Sequence, residues 1–301
     1  MDQIDISLSL LLAKNSRMPL RTLAERLDLS PSAVHKRIQD LMQSGIIQKC
    51  FTGLTFKALP GFIVTINGRS TSTSLYETMQ EIGKNMYVYK VVIAAGNYVY
   101  IHGVLPDISK LDSFTNTIKD IAQLSQPEIL LIPTQVTIKK DDCAKLSILD
   151  YKIIYSLMDD SRKLHTKIAE ELSISTKTVQ RRLTYLEEND LISFGIHWIP
   201  TASSDILSFF HLELKDSLKR DEILSILLKE YRPSVLGVNK ISNHPNLLLL
   251  NVWTKTMKDI KMFHQNLEGT GWFSQIYSNI FYDLMMFDTW RKSFVENQIK
   301  H

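Results

Sequence analysis

Residues 4–47 lie over residues 149–192 without a gap, at an offset of 145. Twelve of the 44 aligned positions are identical: Asp5 and Asp150, Leu12 and Leu157, Ser16-Arg17 and Ser161-Arg162, Ala24-Glu25 and Ala169-Glu170, Leu27 and Leu172, Ser30 and Ser175, Val34 and Val179, Arg37 and Arg182, Leu41 and Leu186, Ile47 and Ile192. Six further positions, Ile4/Leu149, Leu8/Ile153, Leu23/Ile168, Leu29/Ile174, Ile38/Leu183 and Ile46/Leu191, only exchange Ile and Leu. A gapless chance match that also keeps the apolar rhythm is improbable. Length alone would allow about two to four domains. The repeat narrows this to two copies of a unit of about 145 residues.

Each copy opens with helical periodicity. Ile4, Leu8, Leu11 and Leu12 form one face of a first helix, and Leu20–Leu27 reads as a short second one. Ser30 suits an N-cap with Pro31 at the first helical position, where a missing N–H costs nothing. The third helix buries Val34, Ile38 and Leu41 and stops near Gly45; in the second copy Ser175 caps a helix burying Val179, Leu183 and Leu186. The apolar runs Ile46–Phe51 and Leu191–Trp198 read as the strands of a small wing. After each winged helix the chain alternates strand and helix in the order βαββαβ, the ferredoxin-like pattern. The expected class is α+β. Its parts are a winged helix-turn-helix over 1–58, a ferredoxin-like domain over 59–133, a linker over 134–146, a second winged helix-turn-helix over 147–200, a second ferredoxin-like domain over 201–283, and a C-terminal helix over 284–301.

Composition excludes several classes. Apolar residues at 44% and charged residues at 22% describe an ordinary globular chain. The cysteines, Cys50 and Cys143, are too far apart for a CxxC pair, and the eight histidines show no ligand spacing. No Walker loop or GxSxG occurs, so no cofactor or metal is expected. Ile4–Ala13 is too short to span a bilayer and has no flanking signal-peptide features, so the expectation is a cytoplasmic protein without membrane contact. The net charge of +3 is small, but residues 1–58 carry +3 and residues 147–200 carry −1. The basic excess sits in the first winged helix.

In a helix-turn-helix the third helix enters the major groove. With its core face assigned, Ser32, His35, Lys36, Arg37 and Gln39 remain outward. The second copy leaves Thr176, Lys177, Gln180, Arg181 and Arg182. Lys and Arg neutralise phosphates, Arg forks onto guanine, and Gln bridges an adenine edge. Ser32 and Thr176, in the first turn, suit phosphate contact beside backbone N–H groups. Double-stranded DNA is the expected partner.

These residues carry a resemblance. Ile4-Asp5 with Arg17, Leu23-Ala24-Glu25, Leu29-Ser30-Pro31-Ser32, Val34, Arg37, Leu41 and Gly45-Ile46-Ile47 resemble the leucine-responsive/AsnC (Lrp/AsnC) regulators, and the second copy repeats the pattern. The resemblance implies transcriptional regulation and self-association through the ferredoxin-like domains. With two such domains on one chain, it implies an intramolecular pseudo-dimer whose recognition helices read unequal half-sites; association of such chains with one another stays open. Arg17 and Arg162 read as structural partners of the first helix. The resemblance also points to an effector turn between the middle strands, here Gly96-Asn97-Tyr98 and, in the second copy, Asn246. Val99 stands where the family carries Asp, so a purely architectural domain and one sensing another ligand both stay open.

The alternative is an enzyme. Some decarboxylases of siroheme breakdown resemble fused pairs of these same domains, and they need His and Arg converging on a tetrapyrrole's carboxylates. Arg69, Lys90, His102, Lys240 and His244 are the candidates, and the sequence shows no Arg/His cluster among them. The expectation is a non-enzyme.

Overall fold

The computed structural model describes residues 1–134, 146–215 and 219–300. Most of the 134–146 linker lies outside the described residues. Asp2 starts helix α1 (Gln3–Lys14) with a reciprocal cap, its carboxylate accepting from the Asp5 amide while the Asp5 carboxylate accepts from its own amide. Helix α2 (Leu20–Leu27) ends at Asp28, whose φ of 53° is left-handed. Ser30 caps α3 (Pro31–Gln43), accepting from the Ala33 amide at 3.2 Å. Strand β1 (Ile47–Leu54) follows, then β2 (Phe62–Arg69), α4 (Leu75–Gly83), β3 (Val88–Ala94), β4 (Tyr98–Leu105), α5 (Leu111–Ala122) and β5 (Glu128–Ile132). The second copy runs α6 (Ile148–Leu157), α7 (His165–Glu171), α8 (Thr176–Glu188), β6 (Ile192–Trp198), β7 (Ile206–Leu214), α9 (Arg220–Glu230), β8 (Val235–Lys240), β9 (Leu247–Thr254), α10 (Met257–Gly269) and β10 (Phe273–Met286), and closes with α11 (Trp290–Lys300). The expected C-terminal helix from Leu284 is corrected here. Leu284–Met286 belongs to β10, because these residues pair with Val92, Val91 and Lys90 of β3.

The chain divides into two compact units. One holds both winged-helix copies: Asp2–Gly61, Thr134–Ile199 and Asp288–His301. Here β1 pairs antiparallel with β6, with Cys50 opposite Ile196 and Phe51 opposite Gly195. The expected wing of each copy is therefore shared. One strand per copy leaves a row of unpaired N–H and C=O groups, and the equivalent strand of the other copy satisfies them. Gly195 permits the pairing, since a Cβ there would come within 2.8 Å of the Phe51 ring. The copies also meet at Ser16 and Ser161, whose hydroxyls lie 2.6 Å apart. Arg17 donates to the Ser161 and Lys163 carbonyls, and Arg162 donates to the Ser16 carbonyl. Both arginines are structural, but each serves the other copy rather than its own first helix. Ile153, Ile154, Leu157, Val179, Leu183 and Leu186 form a core with Val295 of α11; burying one such side chain stabilises by about 2 kcal/mol.

The other unit is Met1, Phe62–Pro133 and Pro200–Phe287. Its eight-stranded sheet has the order β5-β2-β4-β3-β10-β7-β9-β8. Two ferredoxin-like sheets are joined through β10, which pairs with β7 over its first part and with β3 over its last. Val64, Ile66, Val91 and Ile101 pack with Phe114 and Ile118 of α5; Phe210, Leu212 and Leu250 pack with Phe263 of α10. The opposite sheet face carries Tyr100 and Phe209, whose ring centroids are 4.5 Å apart.

Candidate nucleic-acid interface

Helices α3 and α8 present equivalent outer rows because their cores match: Val34, Ile38 and Leu41 in one, Val179, Leu183 and Leu186 in the other. Ser32, His35, Lys36 and Gln39 are exposed on α3, and Thr176, Lys177, Gln180 and Arg181 on α8. Lys36, Lys177 and Arg181 carry no ion pair among the described residues. The Ser32 hydroxyl lies 3.0 Å from that of the cap, Ser30, in the first turn of α3, where free backbone N–H groups gather.

Arg37 and Arg182 behave differently, and their reading as outward DNA contacts is corrected. Arg37 donates to Asp2 and Asp5 at 2.9 and 2.6 Å. Arg182 forks onto the Asp150 carboxylate, through Nε at 2.6 Å and through Nη2. Asp150 is fully buried. Burial alone would raise its pKa; the hydrogen bonds from Arg182 and Ser147 outweigh that and hold it below the ordinary carboxylate value. Both arginines therefore fasten the third helix of their domain to the first. The repeat held the clue, because Asp5/Asp150 and Arg37/Arg182 are identical in both copies while their outward neighbours differ.

The effector-turn residues are not brought together as one constellation. Gly96 and Asn97 both have positive φ, 69° and 58°, and form the tight turn into β4. Tyr98 accepts a hydrogen bond from Asn67 at 2.8 Å. Asn246 lies at the start of β9, its carbonyl accepting from the Leu214 amide. Of the five tetrapyrrole candidates, Lys240 is paired with Asp221, Arg69 is exposed and His244 lies in an exposed turn. Lys90 and His102 do come together, opposite each other on β3 and β4.

Sequence reasoning missed a hydrogen-bonded relay on the same sheet face, buried at Tyr100 and His211. Asn279 donates to the Tyr100 hydroxyl at 2.6 Å, and Tyr100 lies 2.7 Å from His211 Nε2. With its oxygen accepting from Asn279, we assign the Tyr100 proton to Nε2 and the ring proton of His211 to Nδ1, 2.8 Å from the Tyr277 hydroxyl. Burial pushes His211 down to about 4, consistent with a neutral ring. Nothing in the spacing of Tyr100, His211, Tyr277 and Asn279 announces this relay; strand pairing creates it.

Comparison with known proteins matches the chain twice to a winged helix-turn-helix DNA-binding family, at residues 1–48 and 146–193. A transcriptional regulator LrpA of Pyrococcus horikoshii is 28% identical over 99 residues, 33% of this chain and 70% of the relative. A regulator LrpA of Pyrococcus abyssi is 29% identical over 90 residues, 30% of this chain and 64% of the relative. Along its whole length the chain is similar to the siroheme decarboxylase NirDL, with a TM-score of 0.62, 11% identity and 98% of each chain covered. That likeness speaks to the fold. Among the described residues no helix is long and apolar enough to cross a membrane.

Proposed function

Starting from a chain that is an Lrp/AsnC-like unit duplicated in tandem, we propose that it is a sequence-specific DNA-binding transcriptional regulator whose α3 and α8 read two unequal half-sites. The observation that carries this reading is the division of labour along the third helices. Arg37 and Arg182 are consumed by structural ion pairs, while Lys36, Lys177 and Arg181 stand exposed beside Ser32, His35, Gln39, Thr176 and Gln180. Equivalent positions differ, His35 against Gln180 and Lys36 against Arg181, so the helices present different donors and acceptors to base edges. The shared β1–β6 ladder and the joined sheets support one chain acting as a pseudo-dimer.

The test is binding to genomic fragments as a function of salt. Phosphate neutralisation makes log affinity fall linearly with log salt. Lys36→Ala should weaken binding and reduce the slope by about one. Lys177→Ala with Arg181→Ala should act the same way on the other half-site. A salt-insensitive interaction, or equal affinity for symmetrised sites built from either half, refutes the reading.

A second reading, a siroheme decarboxylase-like enzyme, is favoured by the whole-length fold similarity and by the meeting of Lys90 with His102. Mixing the chain with siroheme, watching the visible bands and trapping carbon dioxide, separates the two. Turnover would replace the regulator reading.

A further inference from the structure

Arg17, in the turn between α1 and α2, reaches out of the first copy to His165, the first residue of α7 in the second. Its Nη1 donates to the Ser161 and Lys163 carbonyls, and its Nη2 lies 2.8 Å from His165 Nε2. A guanidinium only donates, so Nε2 accepts, and we assign the proton of the neutral ring to Nδ1. The link exists on one side of the repeat. The first-copy counterpart of His165 is Leu20, and Arg162, the counterpart of Arg17, donates to the Ser16 carbonyl. Asp160 and Arg162 from the turn before α7, and Glu187 from the end of α8, act on Arg17 electrostatically. The Phe194 ring of β6 has its centroid 5.5 Å from the guanidinium carbon. Burial and Arg17 hold His165 below its ordinary value of 6.5, and burial raises Glu187 above its own. Behind His165, Ile168 and Ala169 of α7 share one core with Val179 and Leu183 of α8. His165 therefore stands where the first copy grips the body that carries α8.

We propose that the Arg17–His165 link is a proton-sensitive clasp between the two winged-helix copies. A proton on Nε2 replaces the acceptor lone pair with a second donor and sets an imidazolium against the guanidinium, so the link breaks. Arg17 keeps the Ser161 and Lys163 carbonyls, so the copies loosen without parting. The depressed folded value sets the sign: the clasp is whole above about pH 6.5 and weakens as pH falls below it. This clasp stands whether or not the chain binds DNA.

The experiment follows the full chain by NMR from neutral to mildly acid pH. The His165 ring signals give its titration. Hydrogen exchange of the Ser16 and Ser161 amides, corrected for its intrinsic pH dependence, reports the junction, because these amides donate across it to the Phe194 and Cys50 carbonyls. Both amides should lose about tenfold in protection as His165 takes up its proton, the scale of one hydrogen bond to a charged group. His165→Gln keeps an acceptor and has no proton to gain, so its two amides should stay protected over the same range. Glu187 remains in that variant, so an equal loss there assigns the effect to another group and overturns the clasp. Wild-type protection that does not follow the His165 titration also overturns it. If His165→Gln does not fold, the match or mismatch of the two wild-type midpoints decides the matter.

Discussion

Removing Arg182 and removing Arg37 should not cost the same, although the two occupy equivalent places in the repeat. Arg182→Ala leaves the fully buried Asp150 without its cation and should cost about 3 kcal/mol. Arg37 pairs with Asp2, which is half exposed, and with Asp5, which retains some exposure, so Arg37→Ala should cost about 1 kcal/mol or less. Urea unfolding of the two variants measures this, and equal losses would refute the assignment. DNA affinity per folded molecule should change less in Arg37→Ala than in Lys36→Ala. At this scale the sequence was legible wherever a residue's role is local. Ser30 and Ser175 were readable as caps because capping needs only the next three residues. Arg37 was misplaced because helical periodicity says which residues are off the core face, not which are long enough to turn back onto a neighbouring helix.

Single elements show a similar dependence on partners. Helix α11 has no counterpart in the first copy, and Arg291 explains part of its hold. Its guanidinium donates to the carbonyls of Leu59, Leu54 and Thr55 at 2.7 to 2.9 Å and lies 4.8 Å from the Phe56 ring centroid. Burial lowers its pKa to about 10, which leaves it charged at neutral pH. Arg291→Met would remove the guanidinium from three carbonyls, of which Thr55 keeps the Leu59 amide as a donor, and should cost about 2 kcal/mol. Arg291→Lys should recover only part, because one ammonium cannot reproduce the planar fork. A urea midpoint unchanged in Arg291→Met would remove this role. The start of the same helix adds a ring of alternating charge, Lys49 and Lys292 each pairing with Asp159 and Asp288. The positions of most helices and strands were readable from apolar period and turn residues. The wings and the end of β10 were not, since a strand's partner is set by what the rest of the chain brings beside it.

At the scale of the whole molecule, buried neutral histidines should make stability depend on pH. His211 and His197 are both held near 4, mainly by burial, against an ordinary value of 6.5. The depressed folded value means the unfolded chain takes up protons first. Stability is thus complete above about pH 6.5 and is lost as pH falls toward 4, by about 3 kcal/mol for His211 alone. His211→Phe breaks the relay and should be less stable at pH 7, with its deficit against wild type shrinking as pH falls. A deficit constant with pH would contradict the buried neutral ring. The sequence by itself determined the duplication, the α+β class, the caps and the core faces of α3 and α8, because each depends on residues close together in the chain or on comparing one half with the other. Only the tertiary structure decided that the copies share one strand ladder, that Arg17 and Arg162 serve opposite copies, that Arg37 and Arg182 are tied down, and that Lys90 meets His102 under Phe209. Those pairings join residues distant in the chain, and strand register and side-chain reach, which no local pattern encodes, select among the partners available.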